Sequence, residues 1–134
     1  MPLPVDLKGS ASGSRSKPKL LIADDEATER TSLRRGLGRS YDIIEAVDGG
    51  EAWERIREEK PDLVLLDLNM PKLGGFQILE KIKTVEDPPL VVMITAYGSE
   101  RIAVEAMKAG AYDYIAKPFD LDELRLSLSH ASEK

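Results

Sequence analysis

Cysteine is absent from this 134-residue chain, and histidine occurs once, as His130 near the C-terminus. The first absence excludes a disulfide framework, thiol catalysis and thiolate metal sites. The second excludes a histidine-based triad and a His-rich zinc site. Any metal held here must take oxygen ligands, which suit Mg²⁺, Ca²⁺ or Mn²⁺. No apolar run approaches the ~20 residues of a membrane span, and the N-terminus has no apolar signal-peptide region. A cytoplasmic protein with no membrane partner is the expectation. The chain also lacks an internal repeat, a Gly-rich phosphate loop and a GxGxxG motif. A net charge of −5 provides no basic excess, so direct nucleic-acid binding by this domain is not expected.

What is present divides into two materials. Residues 1–18 are rich in Ser, Gly, Pro and Lys, and Gly9-Ser10-Ala11-Ser12-Gly13-Ser14 has no periodicity; a flexible N-terminal tail is expected there. From Lys19 to Ser132 the pattern alternates strand and helix five times, enough for one domain with a single sizeable core. The apolar runs Leu20–Ala23, Asp42–Ala46, Leu63–Leu66, Leu90–Ile94 and Tyr114–Ala116 read as strands. Asp25 is expected to cap a first helix running to about Leu37. A second helix places Ala52, Trp53 and Ile56 on one face, and a third turns Ile78, Leu79 and Ile82 inward. Ile102, Ala103, Ala106 and Met107 mark the fourth, stopped at Gly110. The fifth carries Leu121, Leu124, Leu128 and Ala131 as its inner stripe, with Leu126 left outside. Five βα units of this length fit a three-layer sandwich around a parallel sheet.

The polar residues that end those runs carry the chemistry. Parallel strands share one C-terminal edge, where open α/β sheets bind ligands. Asp24 and Asp25 follow the first strand, Asp67 the third, Thr95 the fourth and Lys117 the fifth. Each has an ordinary reading of its own: Asp25 as a helix cap, Asp24 as a solvated acid, Thr95 as a β-branched strand residue, Lys117 as a surface lysine at a turn. Together they mean more. Three carboxylates in one place repel unless a cation compensates, and a hard divalent ion does so at least cost. An ammonium at Lys117 can pair with Asp67 and with phosphoryl oxygens. The Lys117-Pro118 bond is a candidate for the cis form.

Ala23-Asp24-Asp25-Glu26, Leu65-Leu66-Asp67-Leu68-Asn69-Met70-Pro71, Gly74-Gly75, Thr95-Ala96 and Lys117-Pro118-Phe119 occur in this order. In these motifs the chain resembles the receiver (REC) domain of two-component response regulators. The stretch from Thr95 to Tyr114 is similar to receivers of the nitrogen-regulation class, which usually precede an ATPase and a DNA-binding domain in transcriptional activators. The resemblance implies a flavodoxin-like (βα)5 fold with strand order 2-1-3-4-5. It implies that Asp67 accepts a phosphoryl group from the phosphohistidine of a sensor histidine kinase. Asp25, Asp67 and the backbone carbonyl of Asn69 would hold Mg²⁺ (Mn²⁺ as an alternative), with Asp24 reaching it directly or through water. Lys117 and Thr95 would contact the phosphoryl oxygens, and Asn69 and Tyr97 would tune hydrolysis. Thr95 and Tyr114 would form a switch acting on the surface of the fourth helix, fifth strand and fifth helix, to control dimerisation and an output domain. On this reading the domain is no enzyme beyond phosphorylating itself from a phosphodonor and slowly losing the group.

Two other readings use the same residues. A haloacid-dehalogenase-type phosphatase also uses a strand-terminal Asp, but needs a second Asp where this chain has Asn69. A receiver-like interaction module that is never phosphorylated is the other alternative; such domains usually lose an acid or the lysine, and all are present here.

Overall fold

The computed structural model describes residues 17–96 and 99–133. Most of the expected tail, and Tyr97, therefore lie outside the described residues. Ten elements alternate along the chain: β1 (Lys19–Ala23), α1 (Ala27–Leu37), β2 (Asp42–Ala46), α2 (Gly49–Glu59), β3 (Leu63–Asp67), α3 (Gly75–Ile82), β4 (Leu90–Thr95), α4 (Glu100–Lys108), β5 (Asp113–Ala116) and α5 (Leu121–Ser132). The strands form one parallel sheet in the order β2-β1-β3-β4-β5, as expected from the resemblance.

Alternation along the strands sorts the helices into two layers, because successive side chains point to opposite faces of a sheet. Leu21, Ala23, Val64, Leu66, Val91 and Met93 face α2, α3 and α4, meeting Ala52, Ile56, Ile78, Leu79, Ile82 and Ala106. Leu20, Ile22, Leu63, Leu65, Val92 and Ile94 face α1 and α5, meeting Leu33, Leu37, Leu124, Leu128 and Ala131. Every residue of β3 is buried, which explains why the central strand reads as a continuous apolar run rather than an alternating one.

Two local expectations are corrected. The N-cap of α1 is Glu26, not Asp25. Asp24 instead accepts the Glu26 amide at 2.9 Å, so the chain turns one residue later and leaves Asp25 exposed at the sheet edge. Met107 does not join the packed face of α4. It is exposed, as is Val104, and Ala106 is the buried residue of that helix. The end of α4 matches its expectation. Gly110 adopts φ 112, its amide reaches the Met107 carbonyl at 3.1 Å, and the Ala111 amide reaches that of Ala106 at 3.0 Å. This is the Schellman pattern, which glycine alone enters without strain.

The start of α3 is packed hard against the end of β3. A Cβ on Gly75 would lie 2.9 Å from Leu68 Cα and 3.2 Å from the Asp67 carbonyl oxygen. A Cβ on Gly74 would meet only ordinary van der Waals contacts, Gln77 Oε1 and the Leu68 carbonyl oxygen at 3.8 Å, and its backbone angles are ordinary. Gly75→Ala is therefore expected to cost about 1–3 kcal/mol in urea denaturation, as overpacking does. Gly74→Ser, which places a capping hydroxyl at the N-cap of α3, is expected to be neutral or slightly stabilising. Equal midpoints for the two variants would contradict this packing.

Candidate active site at the C-terminal sheet edge

Register explains the site. Ala23 pairs with Leu66, Asp67 with Ile94, and Thr95 with Ala116. The residue after Ala23 thus lands beside Asp67, and the residue after Ala116 lands beyond Thr95. Asp24, Asp67, Thr95 and Lys117 are brought to one place by strand pairing alone.

Carboxylate oxygens of Asp24, Asp25 and Asp67 lie within 4.8 Å of one another. Lys117 Nζ sits 3.1 Å from Asp24 Oδ2 and 3.2 Å from Asp67 Oδ2. Asp24 is fully buried and Asp67 is 6% exposed, so a charge on either has little water to screen it. The two oxygens of Asp24 are already committed, Oδ1 to the Glu26 amide and Oδ2 to Lys117. Asp67 Oδ1 accepts the Asn69 amide at 3.1 Å. The Lys117-Pro118 bond is cis, as anticipated.

Electrostatics follow from this crowding. Burial pushes the Asp67 carboxyl above its usual range, and the Asp24 charge adds to it against the Asn69 amide and the Lys117 ammonium. For Lys117, burial alone favours the neutral amine, but the Asp67 and Asp24 charges outweigh it and hold the ammonium above its usual value. Three acids face one cation. The hard oxygen donors and their excess negative charge fit a divalent cation such as Mg²⁺.

Some of the site was not anticipated. Glu29 Oε1, in the first turn of α1, lies 3.9 Å from Lys117 Nζ. Arg30 donates to the Asp24 carbonyl oxygen at 2.8 Å while paired with Glu45 at 3.0 Å. The Asn69 side chain donates to Thr95 Oγ1 at 3.0 Å, so Asn69 touches the site through its amide as well as its backbone. Tyr114, on the neighbouring strand, has a buried hydroxyl that makes no hydrogen bond among the described residues.

The raised carboxyl of Asp67 makes a stability prediction. The protonated form is favoured by the fold, so its stabilising contribution is fully present below the unfolded pKa, near the usual value of 3.8. It is lost as pH rises through the higher folded value. In metal-free buffer at pH 7, Asp67→Asn should therefore unfold at a higher urea concentration than the wild type, and the gap should close as pH falls toward 4. A variant less stable than wild type at pH 7 would refute this account.

Comparison with known proteins agrees with this geometry. Residues 20–129 match the family described as the response regulator receiver domain. The transcriptional regulatory protein ZraR of Klebsiella oxytoca is 42% identical over 113 residues, 84% of this chain and 26% of that protein. Sporulation initiation phosphotransferase F of Bacillus subtilis is 37% identical over 108 residues, 80% of this chain and 87% of that protein. The signal receiver domain of a putative Luxo repressor protein from Vibrio parahaemolyticus superposes with a TM-score of 0.84 at 30% identity, covering 87% of this chain and 91% of that one. The chain thus spans about a quarter of ZraR but nearly all of the Bacillus protein. ZraR and the regulatory protein AtoC of Escherichia coli, 37% identical over 114 residues, are response regulators of the nitrogen-regulation class. With the strand order, the acid cluster and the family match in accord, the chain belongs to the response regulator receiver domains.

Proposed function

We propose that residues 19–132 act as a phosphoacceptor signalling domain in the cytoplasm, preceded by the tail at 1–18. A sensor histidine kinase supplies the phosphoryl group and Asp67 receives it. The observation that carries this reading is the Lys117 ammonium 3.2 Å from Asp67 Oδ2, beside two further carboxylates. In the transfer, Asp67 oxygen forms a bond to phosphorus, the phosphorus–nitrogen bond of the donor breaks, and the imidazole leaves with a proton. Asp24, Asp25, Asp67 and the Asn69 carbonyl would hold Mg²⁺ or Mn²⁺. Bound there, the ion would offset negative charge on the phosphoryl oxygens and favour an in-line approach. Lys117 stabilises the same charge from the other side. Thr95 completes the oxygen contacts, once its hydroxyl exchanges Asn69 for the phosphoryl group. The domain then loses the group by hydrolysis without acting on any other substrate.

The signal passes through Thr95 and Tyr114. An unpaired buried hydroxyl costs about 1–3 kcal/mol, and the Tyr114 hydroxyl has no partner among the described residues. That cost favours a second state in which Thr95 has moved and the Tyr114 ring has shifted to find a partner. The surface around α4, β5 and α5 receives the change. Val104 and Met107 on α4 and Leu126 on α5 are exposed apolar residues, which suits self-association that repositions an output domain, in a transcriptional regulator of the nitrogen-regulation class.

Two measurements test the reading. Intact mass after incubation with phosphoramidate should show one phosphoryl adduct that requires Mg²⁺ and is missing in Asp67→Asn. A folded wild-type protein that takes no adduct would reject phosphoacceptance and leave the interaction-only module in its place. Light scattering on the phosphorylated sample should give a dimer mass, with Leu126→Asp remaining monomeric while still accepting the group. A phosphorylated wild type that stays monomeric would rule out the self-association step.

A further inference from the structure

A strained turn lies beside the acid site, and a neighbouring loop holds it. Lys72 has φ 74, and the Leu73 amide donates to the Pro71 carbonyl at 2.9 Å. This is a γ-turn centred on a non-glycine residue of left-handed backbone, a conformation that persists only where its surroundings over-determine it. The surroundings are at the start of α2. Gly49 donates its amide to the same Pro71 oxygen at 3.1 Å. The place where a Gly49 Cβ would sit is filled by the Leu73 carbonyl oxygen. Asp48 Oδ2 lies 3.4 Å from Lys72 Nζ, while Asp48 Oδ1 caps α2 by accepting the Glu51 amide at 2.8 Å. At its other end the loop is tied to the sheet by the Gly75 amide, which donates to the Leu68 carbonyl at 3.0 Å. Asn69 lies between these two anchors.

We infer that Asp48 and Gly49 are positioning residues that lock the 69–74 loop and so set where the Asn69 carbonyl points. They touch neither the phosphoryl acceptor nor any cation ligand; they act through Pro71 and Lys72. The inference rests on the phosphoacceptor reading above and adds to it a second loop on which divalent-cation affinity depends. A backbone carbonyl contributes to a cation site only if its loop is held in place before the ion arrives. Partners outside the ligand shell typically change metal affinity about 10–100-fold when removed.

Three variants separate the contacts. Asp48→Asn keeps a capping side chain for α2 but loses the charge that faces Lys72. Lys72→Gly leaves positive φ accessible but removes both the ion pair and the constraint on the turn. Gly49→Ala drives the Leu73 carbonyl away. The first readout uses metal-free protein: hydrogen exchange at the Leu73 and Gly75 amides should be faster in Lys72→Gly and Gly49→Ala than in wild type. The second is the Mg²⁺ dependence of adduct formation from phosphoramidate. Half-saturating Mg²⁺ should rise about tenfold in Gly49→Ala and clearly in the other two, with the rate at saturating Mg²⁺ preserved. Should Gly49→Ala fail to fold, Lys72→Gly carries both readouts and Asp48→Asn the Mg²⁺ readout. Wild-type exchange at both amides in the metal-free variants overturns the lock. Faster exchange with unchanged half-saturation overturns the positioning role and leaves a structural contact only. A wild-type protein that takes no adduct overturns the phosphoacceptor reading itself, and this inference with it, a failure recognisable because it occurs before any substitution.

Discussion

The Lys117 ammonium lies between Asp24, from the end of β1, and Asp67, from the end of β3, at 3.1 and 3.2 Å, where neither acid has much access to water. Removing that one cation would cost about 3–5 kcal/mol, because the two buried carboxylates left behind are neither solvated nor compensated. The ammonium therefore has two duties. It makes the crowding of acids at the sheet edge tolerable, and in the proposed function it sits beside the oxygen that would accept a phosphoryl group. Everything else at the edge is arranged around that compromise. The sheet supplies the register, and the loops after each strand supply the ligands that parallel pairing alone cannot aim.

The compromise also leaves the resting domain short of its best arrangement. Asp67 has its carboxyl pushed up by burial and by a neighbouring charge. Lys72 holds a left-handed backbone beside it, and Tyr114 has a buried hydroxyl with no partner among the described residues. Each is an unfavourable local state kept by the surrounding fold, and such states gather at sites that bind and change. A phosphoryl group and a cation arriving at Asp67 would relieve the first directly. The third would belong, in the proposed function, to the switch that reads them. Behind that edge both faces of the sheet are tightly packed, and two further positive-φ residues, Lys60 and Asp87, lie away from it, before β3 and β4.

The elements of the fold were legible because each is written in near neighbours. Strand runs such as Leu63–Leu66 and the stripe Leu124, Leu128, Ala131 are set by periodicity, which survives in any context that buries one face. The site acids were legible for a related reason: a polar residue directly after an apolar run has only the edge of a sheet to occupy. The failures were of another kind. Asp25 is a good capping residue by type, yet Glu26 occupies the cap, because the buried Asp24 carboxylate takes the Glu26 amide itself. Met107 falls on a helical stripe with Ala103 and Ala106, yet is exposed, because a nine-residue helix at one side of a sheet has room to bury only part of its apolar stripe.

By itself, then, the order of residues determined five strand–helix units, their parallel direction and the set of side chains that end on one edge. Only the tertiary structure decided that α2, α3 and α4 share one layer and α1 and α5 the other. It alone decided that the Asp24 carboxylate meets Lys117, that Asn69 reaches Thr95, and that Gly49 docks against Pro71 and Leu73. The reason is separation along the chain. Helix and strand periods are properties of residues a few positions apart, whereas these contacts join positions dozens of residues apart, whose meeting depends on how the whole sheet is paired.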